Sequence, residues 1–252
     1  MASPAKILVI DDEPVECAGI GRALSQHGFE VETALEVKVA LDKVQSQRFD
    51  VLLIDLMMPG MNGLDLLARL RHELPEARAL VITGLGAKSH AIEAFRLGAF
   101  DFVVTPFSRD ELLSATLRAA NAHGEARALA PPAAPGFYHL GAHSWVQQVD
   151  RNLVVLGAHD SFQRTAGKFV SVDLPNQGDQ VVQGGICARI RVEAGGIYTL
   201  WSPASGRVIE ANLDLLDRPA LANSDPYGKG WFVRLFPDAF DEERLLLSHR
   251  PT

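Results

Sequence analysis

The sequence is poor in cysteine, which limits the kind of protein that it can encode. Only Cys17 and Cys187 are present among its 252 residues, and they fall in segments that look like different domains. A disulfide framework is therefore not expected, and a reducing compartment is favoured. The first residues also lack a basic segment followed by an apolar stretch and a cleavage site. We therefore expect a cytoplasmic protein.

Positive charge and long apolar runs are also scarce. The net charge is −7 at pH 7, and neither half is basic: residues 1–123 carry 12 Lys and Arg against 17 Asp and Glu, and residues 137–252 carry 11 against 13. Binding to nucleic acid or to an anionic membrane surface is therefore not expected. No run of about 18 apolar residues occurs, which argues against a membrane span. With 47% hydrophobic residues, the chain has enough apolar material for one large or two ordinary domains.

Short apolar runs alternate with segments of helical periodicity along the first half of the chain. This alternation predicts an α/β fold, a doubly wound parallel five-stranded sheet with helices on both faces. The predicted strands are 6–10, 30–33, 51–54, 79–83 and 101–104, and the predicted helices are 15–27, 36–46, 63–73, 88–97 and 109–122.

Acidic and hydroxyl side chains stand at the ends of four of these strands. Asp11 and Asp12 follow the first strand, Asp55 the third, Thr83 ends the fourth, and Thr105 follows the fifth. Because parallel strands end at one edge of the sheet, where such folds bind ligands, we expect these groups to meet. Asp55 alone could equally be the N-cap of the next helix. Three adjacent carboxylates, however, repel one another unless a cation such as Mg²⁺ neutralises them, so the cluster predicts a Mg²⁺-assisted phosphoryl site.

Residues 5–122 resemble a two-component response-regulator receiver domain. The resemblance implies a flavodoxin-like fold for a domain over residues 1–122 and a sensor histidine kinase as partner. It rests on motifs that occur in order at the strand ends: Asp11-Asp12-Glu13, Asp55 with Met58-Pro59-Gly60 and Gly63, Thr83-Gly84, Gly98-Ala99-Phe100-Asp101-Phe102, and Thr105-Pro106-Phe107.

The resemblance implies that Asp55 is the phosphoacceptor, which takes a phosphoryl group from a kinase phosphohistidine or a small phosphodonor. Mg²⁺ would be held by Asp11, Asp12, Asp55 and the backbone carbonyl of Met57. The ion would spread the charge that develops during the transfer. The only chemistry expected of the chain is this transfer and slow hydrolysis of the phosphate, so it is not expected to be an enzyme.

The resemblance also implies a switch. Thr83 would turn its hydroxyl towards the phosphoryl oxygens, and Phe102 would occupy the aromatic switch position that couples phosphate to the fourth and fifth helices. Receivers often form homodimers through that face, which here would include Arg96, Asp101 and Arg118. A charged helical face can also simply be solvated.

Thr105 departs from the family pattern, in which a lysine usually precedes the Pro-Phe pair. A threonine hydroxyl can only form a neutral hydrogen bond, so the phosphorylated state should be stabilised less, by about 1–2 kcal/mol. In one interpretation, Asp55 is still phosphorylated and the signal differs in lifetime or coupling, which the presence of both Asp11 and Asp12 favours. In the other, the domain is a partly degenerate receiver that works by docking.

An Ala/Pro-rich segment over residues 123–136 separates the two halves. Its prolines, Pro131, Pro132 and Pro135, stop any extension of the preceding helix. The segment is expected to be a semi-rigid spacer between two bodies, and a signal-transmitting helix is the alternative.

The second half, residues 137–252, has a different sequence pattern. Short β-prone runs separated by Gly, Asn and Asp turns predict a small all-β sandwich or barrel without a metal site or phosphate loop. A helical stretch is predicted at 240–247. The predicted strands are 145–149, 153–156, 169–174, 180–182, 186–192, 197–201, 206–209 and 231–235.

Residues 139–237 resemble the glycine cleavage system H protein, which has a lipoyl-carrier fold of two β-sheets with a few short helices. The motifs include His143-Ser144-Trp145-Val146, Val155-Leu156-Gly157, Val172-Asp173-Leu174-Pro175, Ser202-Pro203-Ala204-Ser205-Gly206, and Asp225-Pro226-Tyr227-Gly228-Lys229-Gly230-Trp231. The resemblance implies a lipoyl lysine at a hairpin tip, and that position is Gly195 here, or Gly196 with the register shifted by one.

No lysine occurs between Lys168 and Lys229. Glycine has no amine, so no lipoate is expected, and neither flanking lysine is expected to replace the acceptor because neither is at the hairpin tip. The second half therefore resembles a degenerate H-protein domain that works by interaction.

The combined expectation is a response regulator whose output is binding to a protein that the sequence does not identify, without DNA binding, since no helix-turn-helix or basic recognition segment is present. Two alternatives remain. One is an accessory pseudo-carrier that docks on glycine-cleavage or lipoate-handling enzymes, and the other is a scaffold that does not respond to phosphate.

Overall fold

The computed structural model describes residues 4–58, 62–84, 88–122 and 136–248. The chain divides into two compact units, Met1–Ala126 and Arg127–Thr252, and this division falls inside the segment predicted as a linker. Residues 123–135 of that segment, and Pro59 and Gly60 of the third-strand motif, lie outside the described residues. None of the helices within the described ranges is long and apolar enough to cross a membrane.

The first unit is a five-stranded, all-parallel sheet in the order β2-β1-β3-β4-β5, with helices between the strands. This confirms the predicted fold class. Its elements are β1 (Lys6–Ile10), α1 (Pro14–Ser25), β2 (Glu30–Ala34), α2 (Val37–Ser46), β3 (Val51–Asp55), α3 (Gly63–Glu73), β4 (Arg78–Gly84), α4 (Lys88–Arg96), β5 (Asp101–Thr105) and α5 (Arg109–Asn121).

The three central strands form the core of this sheet. Residues 51–54 of β3 are fully buried because helices cover both faces, which explains why the strand is a continuous apolar run. On one face, β1 and β3 pack against α1 and α5 through residues that include Ile7, Leu53 and Leu112. The pairing of Ile10 with Ile54 places the residues after β1 beside the end of β3.

The second unit consists of two antiparallel sheets, as predicted. Their strand orders are β10-β13-β14-β8-β7-β6 and β12-β11-β9. The strands are β6 (Phe137–Leu140), β7 (Ser144–Asp150), β8 (Leu153–Ala158), β9 (Phe169–Asp173), β10 (Gln180–Val181), β11 (Ile186–Val192), β12 (Ile197–Trp201), β13 (Gly206–Ala211) and β14 (Trp231–Pro237); the helices are α6 (Asp160–Ala166), α7 (Asp214–Asp217), α8 (Ala220–Ser224) and α9 (Phe240–Glu243).

Two elements of this unit carry weak sequence signals. Strand β6 has only four residues, and α6 has only seven, too few to show a clear period. The N-cap of α6 is His159, whose ring nitrogen accepts a hydrogen bond from the Ser161 N–H at 3.0 Å. Histidine is not among the usual capping residues, so the start of α6 is not evident from the sequence.

The C-terminal segment is helical, as predicted, but it is divided. Helix α9 is followed by a 3₁₀ turn over Arg244–Leu246, and Ser248 then exchanges two backbone hydrogen bonds with His139 of β6. The segment therefore pairs with the outer strand of the larger sheet and covers part of its free edge.

Candidate functional site

Three carboxylates meet at the carboxyl ends of β1 and β3. One oxygen from each of Asp11, Asp12 and Asp55 lies within 4.8 Å of the other two. The central position of β1 and β3 in the sheet produces this meeting, because the two strands are paired neighbours. Asp11 is only 1% exposed, whereas Asp12 and Asp55 are half-buried.

Asp11 has the most unfavourable environment for a carboxylate. Its Oδ1 accepts a hydrogen bond from the Glu13 N–H at 2.8 Å, but its buried Oδ2 has no hydrogen-bond partner among the described residues. Burial raises the pKa of Asp11 to about 6, and the negative charge of Asp55 adds to the rise, although the Glu13 hydrogen bond opposes it. An oxygen of this kind fits a hard cation, which would supply the missing partner.

The half-buried side chain of Asp55 lies at the edge of this cluster. Its Oδ1 accepts a hydrogen bond from the Met57 N–H at 3.2 Å. Burial raises the pKa of Asp55, and the charge of Asp12 adds to this, while the N–H groups of Met57 and Leu56 oppose it. The structure does not test whether the Met57 carbonyl is a ligand, so this role stays a prediction.

The structure excludes the alternative interpretation of Asp55 as a helix cap. Helix α3 is capped by Asn62, whose side chain accepts a hydrogen bond from the Leu64 N–H at 3.0 Å. The helix begins very close to the end of β3: a Cβ on Gly63 would lie 2.7 Å from the Asp55 carbonyl oxygen and 2.5 Å from the Leu56 Cα. Gly63 is therefore required by this close approach.

Two threonines lie at the adjacent strand ends. Thr83 is 2% exposed, and its hydroxyl has no hydrogen-bond partner in the part of the chain that the structure describes. The Thr105 hydroxyl donates to the Thr83 carbonyl oxygen at 3.3 Å and so joins the ends of β4 and β5. Thr105 therefore already uses its donor on the backbone, whereas the Thr83 hydroxyl is unpaired within the described ranges.

Phe102 faces the interior of the receiver unit. It is buried, and its ring lies edge-on against Phe95 of α4, with 5.5 Å between ring centroids and 67° between the ring planes. The ring of Phe102 therefore packs between β5 and α4. Its role as a switch stays a prediction.

The prediction that Arg96, Asp101 and Arg118 belong to a charged surface of the fourth and fifth helices is wrong for Asp101 and Arg118. Asp101 and Arg118 are buried and form an ion pair with 2.6 Å between Oδ2 and Nη2. Arg96 pairs with Glu93 of its own helix at 2.9 Å and is partly exposed. Sequence reasoning missed the Asp101–Arg118 pair because residues 17 apart show no local pattern.

The hairpin of β11 and β12 places Gly195 in its turn, with a φ of +92°. A Cβ built on Gly195 meets no atom of the described residues within 4 Å, so the tip is open. The turn is closed by the Val192 and Gly195 N–H groups, which donate to the carbonyl oxygens of Gly196 and Val192 at 3.0 and 2.9 Å.

Lys168 lies beside this hairpin, which the sequence does not reveal. The Glu193 N–H donates to the Lys168 carbonyl oxygen at 2.9 Å, and the Lys168 ammonium pairs with the Glu193 carboxylate at 2.8 Å. Lys168 precedes β9 and contacts the side of the hairpin, so it is not in the turn.

The cleft next to Asp12 in the receiver unit is a further feature that the sequence does not show. Its volume is about 690 Å³, and its lining includes Met58 and Arg69.

Comparison with known proteins identifies both halves. Residues 7–117 match the family model for the response regulator receiver domain, and residues 137–251 match that for the glycine cleavage H-protein.

The similar proteins fall into the same two groups. The glycine cleavage system H protein of Xylella fastidiosa (strain Temecula1) is 40% identical over 110 residues, which are 43% of this chain and 82% of that protein. The transcriptional regulatory protein TcrA of Mycobacterium tuberculosis is 36% identical over 122 residues, 48% of each chain. This chain thus spans about half the length of TcrA. The crystal structure of the receiver domain of NtrX from Brucella abortus is 33% identical, with a TM-score of 0.44, and the match covers 45% of this chain and 97% of that one.

The two family matches agree with the two folds. The chain belongs to the response regulators through its N-terminal receiver domain and to the glycine cleavage H-protein family through its C-terminal half.

Proposed function

We propose that this response regulator is phosphorylated on Asp55 in the presence of Mg²⁺ and that its C-terminal half is a protein-binding output domain. The observation that carries the proposal is the meeting of Asp11, Asp12 and Asp55 around a buried, unpartnered oxygen of Asp11. Three carboxylates at this spacing repel one another unless a cation neutralises them, and Mg²⁺ held by carboxylates also binds phosphate oxygens.

The carboxylates of the site, Asp11, Asp12 and Asp55, would hold Mg²⁺. The ion would neutralise charge on the phosphoryl oxygens. The Asp55 carboxylate attacks phosphorus, forming a P–O bond as the P–N bond to a kinase histidine breaks; the released imidazole takes a proton from solvent. The Met57 N–H orients the carboxylate through its hydrogen bond to Oδ1. No other group of the chain needs to change its covalent state.

Thr83 and Thr105 would contribute differently to binding the phosphoryl group. The Thr83 hydroxyl is buried and unpartnered among the described residues, so a phosphoryl oxygen would give it its first acceptor. Thr105 has no charge, and its hydroxyl donates to the Thr83 carbonyl. Compared with a lysine at this position, the phosphorylated state therefore loses about 1–2 kcal/mol of stabilisation.

Intact-mass spectrometry after incubation with Mg²⁺ and a small phosphodonor tests the phosphoacceptor. We expect a mass increase of one phosphate in the wild-type chain and none in Asp55→Ala. Glu73→Ala is the matched control, since Glu73 is an exposed acid at the far end of α3, and it should be phosphorylated normally. Equal phosphorylation of Asp55→Ala would contradict the assignment.

The C-terminal half supports an output by binding. It keeps the H-protein scaffold and the hairpin, but the turn has glycine where an amine is needed, and no lysine occurs between Lys168 and Lys229. We therefore expect no lipoate on the wild-type chain. Coexpression with a lipoate ligase followed by intact-mass measurement tests this, and a lipoyl-sized adduct on the wild-type chain would contradict it.

A second candidate is favoured by the 40% identity of the C-terminal half to an H protein. In this alternative the domain docks on glycine-cleavage or lipoate-handling enzymes without carrying lipoate. Affinity purification of the wild type and Asp55→Ala separates the candidates. A histidine kinase and signalling proteins among the partners support the first, and lipoate-linked enzymes support the second. Identical partners for both variants would support a scaffold that ignores phosphate.

A further inference from the structure

The cleft in the receiver unit adjoins the acidic site. Asp12, one of the three clustered acids, is part of its lining, and the rest of the lining comes mainly from α2, with Arg69 from α3. We call it the α2–α3 cleft. Its volume of about 690 Å³ lies within the range of ~300–1,000 Å³ that is usual for small-molecule sites. A molecule in this cleft would therefore lie next to a group that is bound at the acids.

Four side chains give the α2–α3 cleft an apolar wall. Leu41 and Met58 are buried, Val37 is half-buried, and Leu35 is 42% exposed. Val37 and Leu41 lie four residues apart and so share one face of α2. An apolar wall stabilises a ligand in proportion to the apolar area that the ligand buries on it. The wall therefore favours a ligand with a hydrocarbon part.

Two cationic side chains line the same cleft. Lys38 of α2 and Arg69 of α3 are exposed, and neither has an ion-pair partner within the described ranges. Glu36 and Asp42 also line the cleft and balance this charge, so the cleft is not a general anion site. A guanidinium, however, can donate two parallel hydrogen bonds to a single carboxylate. Arg69 is therefore suited to a ligand that carries one carboxylate group.

An acyl phosphate has the chemistry that these features require. Its phosphoryl group belongs at the acidic site, and its acyl chain is a hydrocarbon. When Asp55 attacks, a P–O bond forms to the carboxylate oxygen as the bond between phosphorus and the bridging acyl oxygen breaks. The electron pair stays on the acyl oxygen, so a carboxylate leaves and no proton moves. Arg69 would then bind the leaving group more strongly as its charge develops.

The geometry points to the α2–α3 cleft as the binding site for the acyl group of an acyl phosphate, with a preference for acyl chains longer than acetyl. The inference rests on the proposed phosphorylation of Asp55 and names the class of small phosphodonor that the site takes. Leu35 and Arg69 are the specificity-determining residues, and neither belongs to the three-acid cluster.

The initial rate of phosphorylation of the full chain tests the inference. It is measured by intact-mass spectrometry with Mg²⁺ and the same low concentration of acetyl phosphate, butyryl phosphate or phosphoramidate. Butyryl phosphate adds two methylene groups that can contact the apolar wall, so it should react about fivefold faster than acetyl phosphate. Phosphoramidate releases ammonia, which has no acyl chain and no carboxylate, so its rate is the reference for each variant.

Leu35→Asn removes an exposed part of the apolar wall. We expect the ratio of the butyryl phosphate rate to the acetyl phosphate rate to fall from about five to below about two, with the phosphoramidate rate unchanged. Val39→Asn is the matched control, because Val39 is an apolar residue of α2 with a similar exposed fraction, 39%, that is not part of the cleft lining. This control should keep the wild-type ratio. An equal fall in both variants would overturn the assignment of the wall.

Arg69→Gln removes the guanidinium. Both acyl phosphates should react about threefold more slowly, and phosphoramidate should react at the wild-type rate, because only the acyl phosphates release a carboxylate. Arg22→Gln, which removes an exposed arginine of α1 outside the cleft, is the matched control and should leave all three rates unchanged. A loss in Arg69→Gln that is equal for all three donors would overturn the role of Arg69 in binding the leaving group.

A donor analogue that cannot transfer its phosphorus group gives a second measurement. In 2-oxopentylphosphonate a methylene replaces the bridging oxygen of butyryl phosphate, and the amide NMR signals of residues 35–45 should shift when it is added with Mg²⁺. Absence of these shifts would overturn the inference, as would equal acetyl and butyryl phosphate rates in a wild type that phosphoramidate phosphorylates; the proposed function would stand in both cases. A wild type that takes no phosphate from any of the three donors would overturn the proposed function and this inference with it.

Discussion

In the receiver half, three acids lie within 4.8 Å of one another, whereas in the H-protein-like half the hairpin turn contains Gly195 and no side-chain amine. In the first half the departure from the motif that the resemblance implies is at Thr105, and the acids are present. In the second half the departure is at Gly195, the position of the lipoyl lysine in that resemblance. The proposed phosphoryl chemistry therefore needs no residue that the first half lacks, whereas lipoyl attachment needs an amine that the turn of the second half lacks.

Two glycines of the second half differ in how closely neighbouring atoms surround them. A Cβ on Gly157 would lie 2.4 Å from the buried Trp145 ring, so this glycine is required by packing. A Cβ on Gly195 would meet nothing within 4 Å among the described residues. Packing therefore restricts the side chain at position 157, whereas at position 195 it leaves room for a longer side chain.

The largest expected effect is the gain of lipoylation when a lysine amine is placed at position 195 in the hairpin turn. Gly195→Lys should be lipoylated during coexpression with a lipoate ligase, whereas the wild type should not, because the turn is open and only the φ of +92° opposes the change, at about 1–2 kcal/mol. Intact-mass spectrometry reads the result. Gly178→Lys is the matched control, since Gly178 also has a positive φ and open space but lies outside the hairpin. Failure of Gly195→Lys to gain a lipoyl group would mean that more than the amine has been lost.

The packing constraint predicts the next largest effect. Gly157→Ala should lower the free energy of unfolding of the C-terminal unit by about 3 kcal/mol, because Trp145 is buried and cannot move away from a new methyl group. Gly195→Ala should cost only the backbone strain of a positive φ, about 1 kcal/mol. Urea unfolding followed by tryptophan fluorescence measures both changes. Equal losses would remove the distinction between scaffold and turn.

Acid should destabilise the second half through His159. Burial lowers the pKa of His159 to about 4, although the nearby Asp160 carboxylate opposes this. The folded state therefore prefers the neutral ring, so the contribution to stability is complete above the unfolded pKa of about 6.5 and is lost as the pH falls from there towards 4. The shift corresponds to about 3 kcal/mol of unfolding free energy.

His159→Asn checks this pH dependence. Asparagine keeps a side-chain acceptor for the Ser161 N–H but does not titrate, so the unfolding free energy of the C-terminal unit should vary less between pH 6.5 and 4.5 than in the wild type. Urea unfolding at a series of pH values is the measurement. An unchanged pH dependence in the variant would assign the acid sensitivity to another group.

The smallest expected effect is in the receiver. Thr105→Lys should raise the ratio of phosphorylated to free chain about tenfold at a fixed phosphodonor concentration, since an ammonium near the phosphoryl oxygens adds about 1–2 kcal/mol. Thr105→Val, which removes the hydrogen bond to Thr83 without adding charge, should show no such gain. Intact-mass spectrometry measures the ratio. A gain with valine as large as with lysine would mean that charge is not what the site lacks.

The sequence by itself determined the fold class, because buried parallel strands are continuous apolar runs and their alternation with helices has few topological solutions. It also predicted which acids would meet, because Asp11, Asp12 and Asp55 stand at the ends of neighbouring strands, and the absence of lysine around Gly195 is visible in the sequence itself. These features are local, or they follow from strand order.

Tertiary structure alone decided which partners these residues have. The capping of α3 by Asn62, the Thr105 bond to the Thr83 carbonyl, and Lys168 beside the hairpin each depend on contacts between distant segments. The burial of Arg118 is the clearest case, because the same arginine on a helix surface would be solvated. Side-chain charge is a property of the sequence, but burial and pairing depend on how the elements pack, and packing is not encoded in any local pattern.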